Sequence, residues 1–361
     1  MSITIGSYII EEDEEFGSGG YGQIYLAKKE GETEGQRKLY VIKIPFLDNM
    51  TEDEISTFNN EIDIIKILSK IPKNTYTSVI YDYNKIKDEE EKEENEANKE
   101  VVPFYTMDFF SKGLLFDYAF PNNLTLKLAK YIFQKIIKGF QFLHENGICH
   151  LDIKTENIIF DKDFWPVIID FGFAKKYKND KGEMELVTVG HGTHGYIAPE
   201  IYRKEPINAE KADIFSLGVV LFNLVTGKKN FKKAIEEDIL YNLIIKKNYE
   251  EYWQKIQQEN LSDNFKNLYQ KMVAYEPGDR PSFNEILNDP WLEDLSNLSK
   301  EEEDGIKDDL NEIYENNIKD IKEITIKKKI SSENLKTRGG NDEFSIFPKE
   351  KIEQKKYLKI E

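Results

Sequence analysis

Cysteine is almost absent. The 361 residues include one, Cys149, so no intrachain disulfide can form, and a reducing compartment is expected, the cytoplasm or the nucleus. An excess of positive charge is absent too: 50 Lys and Arg face 67 Asp and Glu, a formal charge of −17. Gripping a nucleic-acid backbone needs a basic face, so this balance argues against nucleic-acid binding. It also argues against an anionic membrane surface and mildly favours solubility and basic partners. No run approaches the ~20 apolar residues of a membrane span. Met1 to Ile10 has neither a basic region nor a long apolar stretch, so no signal peptide is expected. Ser2 stands where N-myristoylation needs Gly. What remains is a globular composition on a chain too long for one ordinary core, which predicts two cores or two lobes.

The densest chemistry lies between residues 150 and 172. His150-Leu-Asp152-Ile-Lys154-Thr-Glu-Asn157 places an acid, a cation and an amide within six residues. An apolar Ile158-Ile-Phe160, then Trp165-Pro166, a second apolar run from Val167 to Ile169 and Asp170-Phe-Gly172 follow. Two short buried strands joined by a tight turn would hold both acidic clusters at one rim. Asp152 is placed to accept a proton from a hydroxyl. Asn157 and Asp170 offer the hard oxygen ligands that suit Mg²⁺. Lys154 is suited to neutralise charge on a transferring phosphoryl group.

This H-x-D-x-K-x-x-N pattern followed by D-F-G resembles the eukaryotic protein kinases. The resemblance implies an α+β, bilobal protein-kinase fold, with an antiparallel N-lobe sheet carrying one helix and a mainly helical C-lobe. It spans about residues 8–292 and divides the chain into an N-lobe (1–108), a C-lobe (109–292) and a tail (293–361). ATP and Mg²⁺ are the implied cosubstrate and cofactor, and protein Ser/Thr residues the substrates.

In the first lobe, Tyr8 to Phe16 reads as a strand entering Gly17-Ser18-Gly19-Gly20-Tyr21-Gly22, and Gln23-Ile24-Tyr-Leu-Ala27 as the next. A dinucleotide fold would open a helix after such glycines. Here a second strand follows and then Tyr40-Val41-Ile-Lys43, an order that resembles the kinase phosphate loop and its strand lysine. Glycines let the backbone approach phosphates closely. Tyr21 would lid the phosphates, and Lys43 would reach the α- and β-phosphates. Residues 30–38 read as a polar hairpin loop. Thr51 to Lys70 has helical spacing with Ile55, Phe58, Ile62, Ile65 and Leu68 on one face, and Thr51 with Glu54 forms a capping box. On it Glu61 is the expected partner of Lys43. Asp88 to Glu96 reads as an acidic, disordered-looking insertion, solvated or docking basic partners. Val102 to Phe110 reads as a buried strand resembling the kinase hinge. Met107 would guard the back pocket, and Asp108 and Phe110 would offer backbone groups to adenine.

Leu124 to Glu145 is an amphipathic helix stopped by Asn146-Gly147. After a polar stretch from Lys175 to Glu185 comes Gly192-Thr193-His-Gly-Tyr196-Ile-Ala-Pro-Glu200, which resembles the activation and substrate-binding segment. Thr193 with Lys154 resembles the serine/threonine subgroup. Glu156, Thr193 and Tyr196 would form the substrate platform. By the same likeness Glu200 would pair with Arg280, and Asp213 would brace the catalytic loop. Asp289-Pro-Trp291 resembles the ending of the calcium/calmodulin-kinase-like group.

Four positions depart from the family pattern. Leu151 stands where many kinases have the Arg that binds an activation-segment phosphate, and Val189 stands at the position usually phosphorylated, with Thr188 adjacent. Both halves of that switch are missing, so activity without activation-loop phosphorylation is expected. Leu114 replaces a glutamate common in basophilic kinases, leaving any basic preference to Glu156 and overall charge. Thr155 for Pro and Phe215 for Trp carry little expected cost.

In the tail, Ser299 to Lys319 reads as an acidic helix with Ile306, Leu310, Ile313, Tyr314, Ile318 and Ile321 on one face. It would dock, coil or inhibit; its acidity disfavours a calmodulin site. Ile324-Thr-Ile326 and Tyr357-Leu-Lys-Ile360 read as short strands around a Gly339-Gly340 turn. Two rivals remain at this point. A nucleotide-binding scaffold would lack the strand lysine, the loop aspartate or the metal aspartate, all present here. A small-molecule kinase would not need the Ala-Pro-Glu segment and Arg280, which build a platform for polypeptides.

Overall fold

The structure, a computed structural model, describes residues 2–19, 22–33, 38–47, 50–87, 102–179, 182–188, 192–204, 206–258, 260–295 and 298–336, without the side chains of 11–19 and 320–336. Gly20, Tyr21, Val189, the acidic stretch 88–96, Gly339-Gly340 and Tyr357 to Ile360 lie outside those residues.

Six strands form one antiparallel sheet in the order β1-β2-β3-β4-β6-β5. They are β1 (Ser2–Ile5), β2 (Tyr8–Gly19), β3 (Gly22–Lys29), β4 (Leu39–Pro45), β5 (Ile80–Asn84) and β6 (Phe104–Asp108). Alternation sends Tyr8, Ile10, Ala27, Tyr40, Ile42 and Phe104 into a small core on one face. The helix α1 (Glu52–Ser69) crosses before β5, and its Thr51–Glu54 capping box is formed in both directions. Its buried stripe, Phe58, Ile62, Ile65 and Leu68, belongs to the large core that runs through the rest of the molecule.

That second region is helical. The pair α2 (Leu115–Ala119) and α3 (Leu126–Glu145) leads to β7 (Ile148–Cys149) and the hairpin β8 (Ile158–Phe160) with β9 (Pro166–Ile168), as the paired apolar runs predict. The turn between β8 and β9 is tied by Asp161, whose carboxylate accepts from the backbone N–H groups of Asp163 and Trp165. β10 (Lys175–Lys176) pairs with β7. Then come α4 (Pro199–Tyr202), α5 (Ala209–Thr226), α6 (Ile239–Ile245), α7 (Tyr249–Lys255), α8 (Asp263–Met272), α9 (Phe283–Leu287) and α10 (Lys300–Lys336). α5 is apolar nearly all round and buried almost throughout, which makes it the central post of this half. Among the described residues no helix is long and apolar enough to cross a membrane.

The tail helix differs from its sequence expectation. Ser299 and Glu302 cap it reciprocally, and it continues through Ile324-Thr-Ile326 to Lys336, where strands were expected. The three- and four-residue spacing of Leu310, Tyr314, Ile318, Ile321 and Ile324 continues along one helical face of the sequence, and no glycine or proline interrupts it before Gly339. Its first turns dock. Ile306 and Leu310 are 1% and 0% exposed and belong to the main core. Tyr314 Oη donates to Ser111 O at 2.9 Å, Lys112 Nζ to Asn311 Oδ1 at 2.8 Å, and Asn317 Nδ2 to Asp117 O at 3.0 Å. Truncating a fully buried leucine leaves a cavity, so Leu310→Ala should cost roughly 2–5 kcal/mol. It should lower the thermal unfolding midpoint, whereas exposed Glu301→Ala should leave it in place.

Candidate active site

The site begins with a lysine that the sheet cannot leave unpaired. Lys43 lies on β4 opposite Ile24 of β3 and Tyr105 of β6, at 7% exposure. Its Nζ donates to Glu61 Oε2 at 2.7 Å. Glu61 falls on the buried stripe of α1, three residues after Phe58 and four before Ile65, and is 3% exposed. Burial works against the lysine's charge, but Glu61, then Tyr105 and Asp170, outweigh it and hold the ammonium well above the ordinary lysine range.

The neighbouring Asn60 escaped the sequence reading. Its Nδ2 donates to Gly172 O and Ala174 O, both at 2.9 Å, and more weakly to Phe171 O. It ties α1 to the Asp-Phe-Gly segment, whose Gly172 sits so close to α1 that a Cβ there would meet Thr57 Cγ2 at 2.8 Å. An amide beside a glutamate on a helix carries no periodic signal. Only the segment more than a hundred residues away gives it a role.

The catalytic loop is braced from below. Asp213 on α5 is fully buried and accepts from His150 N at 2.8 Å and Leu151 N at 2.9 Å, with His144 Nε2 at 2.8 Å. These contacts hold Leu151 at φ +64°, a conformation costly for a branched side chain. His144, a second residue the sequence reading missed, looks like any buried residue of an amphipathic helix. His150 Nε2 lies 3.1 Å from Ile169 O, and its ring packs on Phe171. The loop is thereby joined to Asp170, itself at φ +64°.

Four residues converge above this brace. Asp152 Oδ1 accepts from Thr193 Oγ1 at 2.6 Å and Thr193 N at 3.0 Å, and Asp152 Oδ2 accepts from Lys154 Nζ at 2.8 Å. Lys154 Nζ also donates to Thr193 Oγ1 at 3.0 Å. Asn157 Nδ2 donates to Asp152 O at 2.9 Å and to Oδ2 at 3.2 Å. The result is a hydroxyl, a carboxylate and an ammonium in mutual contact. With the amide N–H groups of Asn157 turned to Asp152, its oxygen remains as a ligating atom. Together with the half-exposed Asp170 carboxylate it makes a sparse pair of hard donors, which fits Mg²⁺: that ion keeps several waters and takes phosphate oxygens besides one or two protein ligands.

Several of the residues expected to line a nucleotide site gather in two apolar clusters. Ile24, Leu26, Val41, Met107 and Phe109 pack as one cluster, and Phe110 joins a second with Leu114, Ile159 and Val167. The glycine hairpin closes with Gly17 opposite Ile24, Ser18 opposite Gln23 and Gly19 opposite Gly22. A Cβ on Gly22 would meet Ile44 O at 2.4 Å, so that position admits only glycine. The Phe16 side chain lies outside the described residues. Asp108 does more than its backbone role predicts. Its carboxylate accepts from Val79 N at 3.1 Å, Tyr81 Oη at 2.7 Å and Lys38 Nζ at 2.7 Å, anchoring β6 from behind.

The platform is fixed to the helical half. Tyr196 Oη donates to Asn223 Oδ1 at 3.0 Å, and Ser216 Oγ to Tyr196 O at 2.7 Å. Glu156 lies outside the Asp152 cluster; its Oε2 accepts from Thr155 Oγ1 at 2.9 Å. Arg280 meets Glu200 in a fork, with both N···O distances 2.7 Å. It also donates to the carbonyls of Ala274, Lys211 and Tyr275, which uses all five guanidinium donors.

Comparison with known proteins agrees with this geometry. Residues 10–292 match the protein kinase domain family. The calcium/calmodulin-dependent protein kinase type 1 of Caenorhabditis elegans is 27% identical over 283 residues, covering 76% of this chain and 72% of that protein. The maternal embryonic leucine zipper kinase of Xenopus tropicalis is 29% identical over 78% of this chain and 39% of its own length. The probable serine/threonine-protein kinase MARK-C of Dictyostelium discoideum is 27% identical over 80% and 34% respectively. With the family matched along most of its length and a two-part fold closing on a lysine, two aspartates and an asparagine, the chain belongs to the protein kinase family and is a serine/threonine protein kinase.

Proposed function

We propose that the chain transfers the γ-phosphoryl group of ATP to Ser and Thr hydroxyls of proteins, and that it does so without a phosphate on its activation segment. The observation that carries the chemistry is the hydrogen bond from Thr193 Oγ1 to Asp152 Oδ1 at 2.6 Å, with Lys154 Nζ beside it. A hydroxyl, a proton acceptor and a cation already occupy the positions that an acceptor hydroxyl needs.

In this reading Asp152 orients the substrate hydroxyl and takes its proton as the oxygen attacks. Lys154 offsets the charge that develops on the transferring group. Lys43, held by Glu61, positions the α- and β-phosphates. Asn157 and Asp170 would hold Mg²⁺, which neutralises phosphate charge. The apolar clusters around Val41 and Phe110 would receive adenine. Catalysis here is mainly positioning and electrostatics. The buried thiol of Cys149, pushed up by desolvation, is inert and fits a cytoplasmic setting.

Independence from phosphorylation rests on Leu151. Its side chain is 5% exposed within the main core, so no guanidinium is offered there to a phosphate. Lys175 Nζ instead donates to Thr188 O at 2.6 Å, a tie between the activation segment and β10 that uses a backbone carbonyl and no phosphate.

Full-length protein made in bacteria and treated with phosphatase should transfer labelled phosphate from ATP–Mg²⁺ to a general protein substrate. Asp152→Asn should reduce transfer by roughly 10²–10⁴-fold. An inert wild type that still binds ATP and gains activity only after activation-segment phosphorylation would sink the phosphate-independent reading.

The pH dependence has a definite sign. Burial raises the Asp152 pKa, but Lys154 and the Thr193 hydrogen bond outweigh it, leaving the carboxyl below its ordinary 3.8. The proton-accepting form therefore already predominates at pH 3.8 and is lost as pH falls through the lower folded value. The acid limb of kcat/KM belonging to this group should lie below 3.8 in the wild type. It should move upward in Lys154→Gln, where burial acts with less opposition. An acid limb identical in both proteins would remove Lys154 as the cause.

A further inference from the structure

The most acidic feature of this protein is its overall composition, and its main exception lies beside the substrate platform. Lys228, Lys229, Lys232 and Lys233 fall within six residues of a chain whose formal charge is −17. All four are exposed. Among the described residues none of their ammonium groups makes an ion pair or a hydrogen bond. Four like charges held close together without carboxylate partners repel one another, so their retention in one place needs another account than stability.

The loop that carries them is built, not loose. At its start Asn223 Nδ2 donates to Lys228 O at 2.7 Å, while the same Asn223 accepts from Tyr196 of the platform at 3.0 Å. Phe231 is buried, pinning the middle. At its end Asp238 Oδ2 accepts from Lys232 N at 3.0 Å and Lys233 N at 3.3 Å, and its Oδ1 caps α6 through Leu240 N and Tyr241 N. The Asp238 charge is thus taken up by backbone N–H groups. Glu236 and Glu237, which precede it, are exposed and pair with none of the four lysines.

The loop also touches the segment that meets Asp152. A Cβ on Gly195 would lie 3.5 Å from Phe231 O and 3.6 Å from Lys232 O, and Gly195 is two residues from Thr193, whose hydroxyl bonds the Asp152 carboxylate. A polypeptide with its acceptor hydroxyl at Asp152 would run past this loop. Meanwhile the means of recognising a basic peptide are reduced. Leu114 is apolar and buried, and one oxygen of Glu156 is already occupied by Thr155.

We infer that this lysine loop is a substrate-recognition site for acidic residues flanking the phosphoacceptor, so the enzyme prefers acidic peptides. The inference rests on the kinase reading above and refines its substrate class. Exposed ion pairs are individually weak, but several acting together give about a tenfold preference.

The test uses full-length enzyme and a set of peptides with one central Ser. Two carry three Glu, on one flank or the other; two carry Lys at the same positions; one has neutral flanks. The expected result is a kcat/KM about tenfold higher for at least one Glu peptide than for the neutral one. That advantage should disappear at about 1 M salt, where the Debye length is ~3 Å. In K228Q/K229Q/K232Q/K233Q the ratio of acidic to neutral kcat/KM should fall toward one while transfer to the neutral peptide persists, which shows that the variant is folded. No preference, a preference for the Lys peptides, or an acidic preference that survives the fourfold substitution would each overturn the inference and leave the kinase reading standing. Transfer to none of the peptides, the neutral one included, would count against both.

Discussion

A single buried carboxylate sets the geometry on which the rest depends. Asp213 is enclosed, because α5 is buried on nearly all sides. It binds two successive backbone N–H groups, which forces the chain at Leu151 into the left-handed region. Such a conformation costs of order 1–3 kcal/mol and persists only where the surroundings over-determine it. The turn it produces presents Asp152 to Lys154 and Thr193. From His150 the same rigidity passes to Ile169 and Phe171, from the Asp-Phe-Gly segment to Asn60, and along one step of α1 to Glu61 and Lys43. Groups from both halves of the molecule are therefore registered against one atom pair on α5.

Two buried ion pairs serve different ends. Arg280 and Glu200 satisfy each other and leave no donor unused, so the pair behaves as a rigid bolt between α4 and the segment before α9. Buried pairs of this kind contribute little net stability, because desolvation offsets their attraction, but removing one partner is expensive. Lys43 and Glu61 are also buried, yet the lysine additionally feels Asp170 and has a ring face of Tyr105 at 5.6 Å. Its charge is held high by more negative groups than one, which suits the role proposed for it toward phosphates.

Much of this was legible because kinase chemistry is locally encoded. Asp152, Lys154 and Asn157 lie on one loop, and the capping box of α1 is written in Thr51 and Glu54. Alternation located β3, the resemblance to the kinase strand lysine located β4, and helical spacing located α3 to within two residues of its start. What escaped was non-local or aperiodic. Asn60 acts on carbonyls 111 to 114 residues away, and His144 on a carboxylate 69 residues away. Neither has a neighbour in sequence that reveals its partner. The β-branched Ile324-Thr-Ile326 suggested a strand by propensity, but the three- and four-residue spacing of the preceding apolar residues prevailed. Propensity is a weak prior once a helical face is already established.

The docking of α10 bears on what counts as the unit that folds. The protein kinase domain match ends at residue 292, while the apolar core continues through Ile306 and Leu310. Tyr314 and Lys112 then join the helix to the link between β6 and α2, the strip of chain on which the two halves would swing. A boundary drawn where that match ends would cut through a packed interior and unmask the apolar surface that Ile306 and Leu310 cover. The evolutionary module and the thermodynamic one do not coincide here, and the difference is a lever arm fastened to the joint.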